Sequence, residues 1–460
     1  MKKNIPLSTP KLSLDIVENL RECIETGWVS TGGRFIGEFE NKIAKYVGVD
    51  EAVSMQSGTA GIHTALKVLG IEPDDEVIAP TLTFIAAVNP VTYVGASPVF
   101  MDCDDSLCID PDKLEQFCEE ECELRGLEGQ KDRGIEGQKV DPLTLRPTDP
   151  LTLRPSDPPT PQPRTILVNK STGKRIRAII VVHVFGNLAD MEKIMTIAEK
   201  YNLKVIEDAT EALGSYYTEG KYKGKYAGTI GDIGIYSFNA NKIITTGGGG
   251  MIVSNKKEYL DKARYLGVQA KNDSLYFVHD EIGYNYRMLN IQAALGVDQI
   301  DRLEVFIETK IRNYNLYKEL LTGNRGSEDR SIDNGELKIE NECSNFDESK
   351  ISSGNLKCNG IDLLPFKEGI RANHWFYSIL IDEEKYGMSR DELLTKLNNA
   401  GIQSRPLWRL IHKQKPYEDC QTYKIEKALY YEAKILNVPC STNLTEEEVV
   451  YVCDIIRSEI

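Results

Sequence analysis

One lysine, Lys242, stands on a turn between a strand-like stretch, Ile233 to Phe238, and four consecutive glycines, Gly247 to Gly250. A lone amine that backbone can approach closely is what a carbonyl cofactor needs to form a Schiff base. Taken alone, the run reads equally as a glycine hairpin bearing a solvated lysine. Upstream, Val205-Ile206-Glu207-Asp208 puts an acid at the carboxyl end of an apolar strand, where ligands bind in open α/β sheets. An aspartate there can hold a proton on a pyridine nitrogen; it can also be a metal ligand or a helix cap. Ser57-Gly58-Thr59-Ala60-Gly61 follows a strand and opens a helix, the arrangement that cradles phosphate, although small-residue turns before helices are common. Phe84 follows another strand and could lie against a flat ring or simply in the core. His183, ending the run Ile179 to Val182, is a core histidine or a polar neighbour of the site. Glu211 falls three residues after Asp208, on the same side of any helix that starts there.

Their order says more than any single motif. A phosphate-type loop, an aromatic after a strand and a strand-end acid are followed, 34 positions beyond Asp208, by a strand-end lysine. Together they ask for a cofactor with a phosphate, a flat ring carrying a basic nitrogen, and an aldehyde. Pyridoxal 5′-phosphate has all three.

The elements that must position these residues alternate along the chain. Two helical faces come first, with apolar positions at Ile16, Val17, Leu20 and Ile24, then at Ile36, Phe39, Ile43 and Val47, each closed by a glycine. Short apolar runs then alternate with helical stretches through Ala52 to Met55, Glu76 to Ala79, Pro98 to Asp102, Arg177 to Val182 and Leu203 to Glu207. This predicts an α/β domain with a largely parallel sheet. Two stretches break the pattern. Residues 124–175 hold tandem eight-residue near-copies (Arg125 to Lys131 against Arg133 to Lys139, and Asp141 to Pro147 against Asp149 to Pro155) and abundant proline, which read as a disordered insertion. Residues 324–359, rich in Ser, Asn, Asp and Glu, read as a second, flexible one. The expected division is a large domain over 1–323 and a smaller α+β domain over 360–460, with residues 1–30 near the latter.

A net charge of −15 argues against nucleic-acid or anionic-membrane partners. No apolar run approaches the roughly 20 residues of a membrane span. Ten scattered cysteines form no CxxC pair or zinc-like spacing, so no metal is expected, and they read as reduced thiols of a soluble cytoplasmic protein.

Given these motifs, the chain resembles the fold-type-I PLP-dependent sugar aminotransferases of the DegT/DnrJ/EryC1/StrS family. The likeness is carried by Gly27-Trp28-Val29-Ser30-Thr31-Gly32, Ser57 to Ala60, Pro80 to Phe84, His183-Val184-Phe185-Gly186, Glu207-Asp208-Ala209, Ser237 to Lys242 and Gly283 to Met288. Ile243-Ile244-Thr245-Thr246 and Arg405 to Lys413 resemble the branch acting on nucleotide-linked 4-keto-6-deoxyhexoses, as in legionaminic acid, bacillosamine-type and perosamine pathways. The resemblance implies a mostly parallel seven-stranded sheet flanked by helices, plus a smaller C-terminal α+β domain. It implies that Lys242 bears the cofactor, Asp208 pairs with the ring nitrogen, Phe84 stacks on the ring, and Gly58, Thr59 and Ser237 hold the phosphate. It implies that Asn285 reaches the neighbouring subunit's cofactor in a homodimer with shared sites. Glu211 becomes a cofactor contact, and Trp28, Thr31, His183, Arg405 and Trp408 become substrate contacts. Ala240 stands where the family usually has glycine, and Glu211 where it often has Gln or His, so a loop with φ > 0 at residue 240 would carry strain.

The activity implied is amino transfer, with glutamate as donor, to the C4 ketone of a nucleotide-linked sugar for bacterial surface glycans. Two rivals differ in a feature that can be observed. The family's PLP-dependent sugar dehydratases carry histidine in place of the lysine, and Lys242 stands against that reading. A non-catalytic PLP-binding regulator or scaffold would bind cofactor without responding to glutamate.

Overall fold

The computed structural model describes residues 4–126, 165–273, 275–323 and 358–458. Strands and helices alternate as their apolar patterns predict, and most strands join one ten-stranded sheet. Its order is Ala52–Met55, Gly250–Val253, Ile233–Ser237, Lys204–Asp208, Arg175–Val182, Glu76–Pro80, Ser97–Met101 and Thr422–Tyr423. From Ile233–Ser237 to Thr422–Tyr423 every neighbour is parallel, while Gly250–Val253 runs antiparallel to both of its own. Ala178 to Val182 and Val205 to Ile206 are fully buried, as expected of parallel strands covered by helices on both faces.

The sheet exceeds the seven strands expected. Seven run from Ala52–Met55 to Ser97–Met101, and three are additions. Thr422–Tyr423 arrives from the C-terminal part of the chain and pairs with Phe100 and Met101. Cys122–Gly126 and Thr165–Asn169 form an antiparallel pair beside Arg175–Val182. That pair also corrects the disordered insertion expected over 124–175. Residues 124–126 and 165–175 are strand and turn, because Ile166 to Val168 are apolar and Leu167 and Val168 are buried. Residues 127–164, with the repeats, lie outside the described residues. The second insertion is likewise shorter at its end. Cys358 is buried and its N–H donates to Leu321 O at 2.8 Å, while 324–357 lie outside the described residues.

A second, antiparallel sheet has the order Ile361–Leu363, Tyr377–Ile381, Ile435–Val438 and Arg405–Pro406. The long helix Leu303–Thr322 packs on both Ile361–Leu363 and the helix Glu446–Arg457. Of residues 1–30, only the start lies by this sheet. Ile5 pairs with Ile402 and Leu7 O accepts from Cys440 N at 2.8 Å, whereas helix Ile16–Thr26 packs on helix Asn290–Asp301.

One buried residue ties two loops together. Asn373 donates its backbone N–H to Ser215 Oγ and its Nδ2 to the carbonyls of Glu211 and Leu213, and its Oδ1 accepts from Trp375 N, all at 2.9 Å. Buried polar groups left without partners are costly, so Asn373→Leu, which keeps the volume and removes the amide, should destabilise the fold by about 2–4 kcal/mol. Urea unfolding of the two proteins measures this as a lower midpoint for the variant.

Candidate active site

Parallel strands bring their carboxyl ends to one edge of the sheet, and the residues that follow them meet there. Ser57, Gly58 and Thr59 follow Ala52–Met55, Phe84 follows Glu76–Pro80, Asp208 ends Lys204–Asp208, and Ser237 ends Ile233–Ser237. With Glu211, Lys242, Arg405 and Trp408 they line a single cleft of about 720 Å³.

Ser57 caps the helix Gly58–Val68, its Oγ accepting from Ala60 N at 3.1 Å. The helix presents its first amides and its positive dipole end to the cleft, which suits an anion. A Cβ on Gly58 would stand 3.0 Å from Thr210 Cγ2 and 3.1 Å from Ser237 Cβ, closing this cradle. A Cβ on Gly250 would come within 2.5 Å of Ser57 C and O, so the glycine run lets two backbones touch behind the phosphate turn. Ala240 is not among the residues with positive φ, so alanine fits this loop without the expected strain.

Asp208 is 4% exposed, and its Oδ1 accepts from Thr210 N at 3.1 Å. Burial pushes its carboxyl up, against the hydrogen bonds of Thr210 and the charge of Lys242. Among the described residues no side-chain cation is within ion-pair distance of it. A protonated ring nitrogen in the cleft would be the missing partner.

Lys242 Nζ lies 3.7 Å from Glu211 Oε1 and 4.2 Å above the Trp375 ring centroid. Glu211 is buried, and its Oε2 accepts from Phe185 N at 2.9 Å. Burial pushes its carboxyl up to about 7, against the opposing pull of Lys242. Phe84 is 53% exposed and leans towards Trp408 (centroids 6.3 Å apart), which packs on Phe185 at 4.9 Å.

Four expected site residues are elsewhere. His183 is corrected as a substrate contact, since it is fully buried and its Nε2 bonds Glu207 Oε2 at 2.9 Å while its Nδ1 accepts from Ala189 N. Glu207 also takes the amides of Gly228 and Ile230 at 2.9 and 2.7 Å. Burial alone would raise the Glu207 carboxyl, but His183 and the amides of Gly231 and Gly228 hold it below the usual range. Trp28 is exposed, with its carbonyl accepting from Asn290 Nδ2, Thr31 is half-buried and Asn285 is exposed; none of them lines the cleft of this single chain. Conversely, Leu7, Asn239, Asn241, Trp375, Phe376 and Asn437 line it without having been singled out. Asn239 and Asn241 flank the lysine, and polar residues interrupting a strand-end turn were a signal for them. Leu7 carried none.

With this geometry in hand, the comparisons with known proteins are direct. The model of the DegT/DnrJ/EryC1/StrS aminotransferase family matches residues 10–123, 156–340 and 355–457. The GDP-perosamine synthase of Escherichia coli O157:H7 is 32% identical over 456 residues, covering 99% of this chain and 98% of that one. The GDP-perosamine synthase of Caulobacter vibrioides is 32% identical over 450 residues, covering 97% and 95%. Among solved structures, Spr1654 of Streptococcus pneumoniae in its PMP form shares the fold with a TM-score of 0.73 at 21% identity, covering 99% and 97%. The chain belongs to the DegT/DnrJ/EryC1/StrS aminotransferase family, it is an aminotransferase, and its cofactor is pyridoxal phosphate. The amide-lined turn, the buried Asp208 and the amine of Lys242 fit that cofactor's phosphate, ring nitrogen and aldehyde. No helix among the described residues is long and apolar enough to cross a membrane.

The raised Glu211 carboxyl gives a pH test. A carboxyl near 7 in the folded chain and near 4.5 unfolded contributes stability that is complete below 4.5 and lost as pH rises through about 7. Glu211→Gln does not titrate, so the cofactor-free variant should gain on the parent by roughly 2–3 kcal/mol between pH 5 and pH 8. Denaturant unfolding at both pH values reads the difference.

Proposed function

We propose that this family member transfers the amino group of glutamate to the C4 ketone of a nucleotide-linked 4-keto-6-deoxyhexose for the biosynthesis of a bacterial surface glycan, in the cytoplasm. The observation that carries the reading is one cleft lined by two sets of groups, Gly58, Asp208, Ser237 and Lys242 on the one hand and the exposed Arg405 with the ring of Trp408 on the other. Full-length likeness to two proteins named GDP-perosamine synthase supports a nucleotide-linked sugar as the acceptor.

Pyridoxal phosphate, when bound among the first set, supplies an electron sink for the carbanion left when a substrate carbon loses its proton. The amides of Gly58 and Thr59 and the Ser237 hydroxyl would hold its phosphate, and Phe84 would lie against its ring. Asp208 holds the proton on the ring nitrogen by charge pairing in a site where water is largely excluded. Lys242 would anchor the cofactor covalently, and its Nζ, once free, would carry the proton between the donor's α-carbon and the cofactor's C4′. In the second set Arg405 offers positive charge to a diphosphate, and Trp408 offers an aromatic face to the sugar ring. Asn285, exposed on the single chain, reaches the cofactor phosphate of the neighbouring subunit, so a homodimer completes two shared sites.

Purified protein with pyridoxal phosphate, glutamate and a panel of UDP- and GDP-linked 4-keto sugars, with and without a 2-acetamido group, should aminate at least one, read by product mass. Glutamate turnover of the cofactor without amination of any sugar would move the acceptor outside this class. Lys242→Ala should lower turnover by at least about a thousandfold and remove the absorbance of lysine-bound cofactor.

Shared sites make a separate prediction. Lys242→Ala and Asn285→Ala proteins, each inactive alone, should regain activity on subunit exchange, because one of the two mixed sites is then intact. The mixture is expected to reach about a quarter of the parent's rate, since about half the dimers are mixed and each carries one intact site. No recovery after verified exchange would place Asn285 in its own subunit's site or outside both.

A further inference from the structure

We infer that Trp375 is the platform on which the amine of Lys242 rests whenever it is not bonded to the cofactor. The inference rests on the proposed role of Lys242. Its Nζ lies 4.2 Å above the Trp375 ring centroid, within the range at which an ammonium is drawn to the face of an indole. On another side of Nζ stands Glu211 Oε1 at 3.7 Å. An ammonium there meets a π face and a carboxyl group, with its side chain 12% exposed to the cleft.

Trp375 is fixed at its indole and on both sides of its backbone. Its Nε1–H donates to Asn241 O at 2.8 Å, so the ring is tied to the residue directly before the lysine it supports. Its backbone N–H donates to Asn373 Oδ1 at 2.9 Å, and its carbonyl accepts from Lys310 Nζ at 3.0 Å. Lys310 is itself buried in the helix Leu303–Thr322 and also donates to Cys440 O. Phe376, at 4.2 Å between centroids, and Phe185, at 6.1 Å, pack against the ring. Only two side-chain torsions set an indole's orientation, and the Nε1 hydrogen bond with the two ring contacts holds both.

The chemistry needs such a rest. A lysine that removes a proton from the donor's α-carbon becomes an ammonium, and it must keep that proton until it is handed to the cofactor's C4′. A fixed aromatic face favours the charged form and holds Nζ near both carbons. Trp375 is therefore a positioning residue acting through Lys242.

The test separates a platform from a packing role. In the glutamate half-reaction, Trp375→Leu should slow the rate at saturating glutamate by about tenfold, leave the KM for glutamate unchanged, and enlarge the isotope effect with α-deuterated glutamate. Trp375→Phe, which keeps an aromatic face, should stay within about threefold of the parent. Parent-like rates in Trp375→Leu, a loss confined to KM, or Phe no better than Leu would overturn the inference. A second readout uses cofactor-free protein and survives a variant that folds poorly. Lys242→Met should raise indole emission, because a nearby ammonium quenches it, and should do so only where Trp375 is present. The same rise in the Trp375→Phe background would overturn the platform. Failure of the Lys242 assignment is visible separately, as borohydride-fixed cofactor on another lysine.

Discussion

The constraint on which the site depends is the burial of Asp208. A carboxylate at the end of a parallel strand, 4% exposed and hydrogen-bonded to Thr210, is expensive to keep charged without a cation beside it. The chain supplies one amide and a lysine whose own geometry points it at Glu211 and Trp375. A ligand that brings a protonated ring nitrogen relieves the burial cost and is held by it in return. The carboxyl ends of the neighbouring strands then fix where the rest of that ligand lies, because the phosphate turn after Met55 and the lysine loop after Ser237 are set by the same sheet register. Position in the sheet is thus converted into position on the cofactor.

This also explains what could be read from the sequence. Gly58, Asp208, Ser237 and Lys242 each sit one or two residues from a strand end or on its loop, so a local pattern of apolar run and turn identifies them. Glu211 follows by short-range spacing. Leu7 and Trp375 escape because they reach the cleft through contacts far apart in sequence, Leu7 through Cys440 and Trp375 through Asn241 and Lys310. His183 shows the converse. It has the strand-end position of a ligand-facing residue, but its ring nitrogens are consumed by Glu207 and Ala189 below the cleft. The added strands were hidden for a different reason. Cys122–Gly126 and Thr165–Asn169 pair across a proline-rich stretch, and Thr422–Tyr423 is too short to show a period of two.

Arg405 and Trp408 reach the cleft from another part of the chain than Asp208 and Lys242, on the segment from Arg405 to Tyr423 that joins the two sheets. It begins in the second sheet, where Arg405 and Pro406 pair with Asn437 and Leu436, and ends in the first, where Thr422 and Tyr423 pair with Phe100 and Met101. Between them it is fastened to the strand end at Thr81, whose Oγ1 bonds His412 Nδ1 at 2.6 Å and whose carbonyl accepts from Ile411 N at 2.9 Å. Thr81 is three residues before Phe84, so the anchor of this segment and the exposed aromatic of the cleft share one turn. Trp408, four residues before His412, is thereby held against Phe185 and within reach of Phe84. The side of the cleft at Trp408 is thus tied by hydrogen bonds to the same strand end that carries Phe84, and its position follows the register of the first sheet.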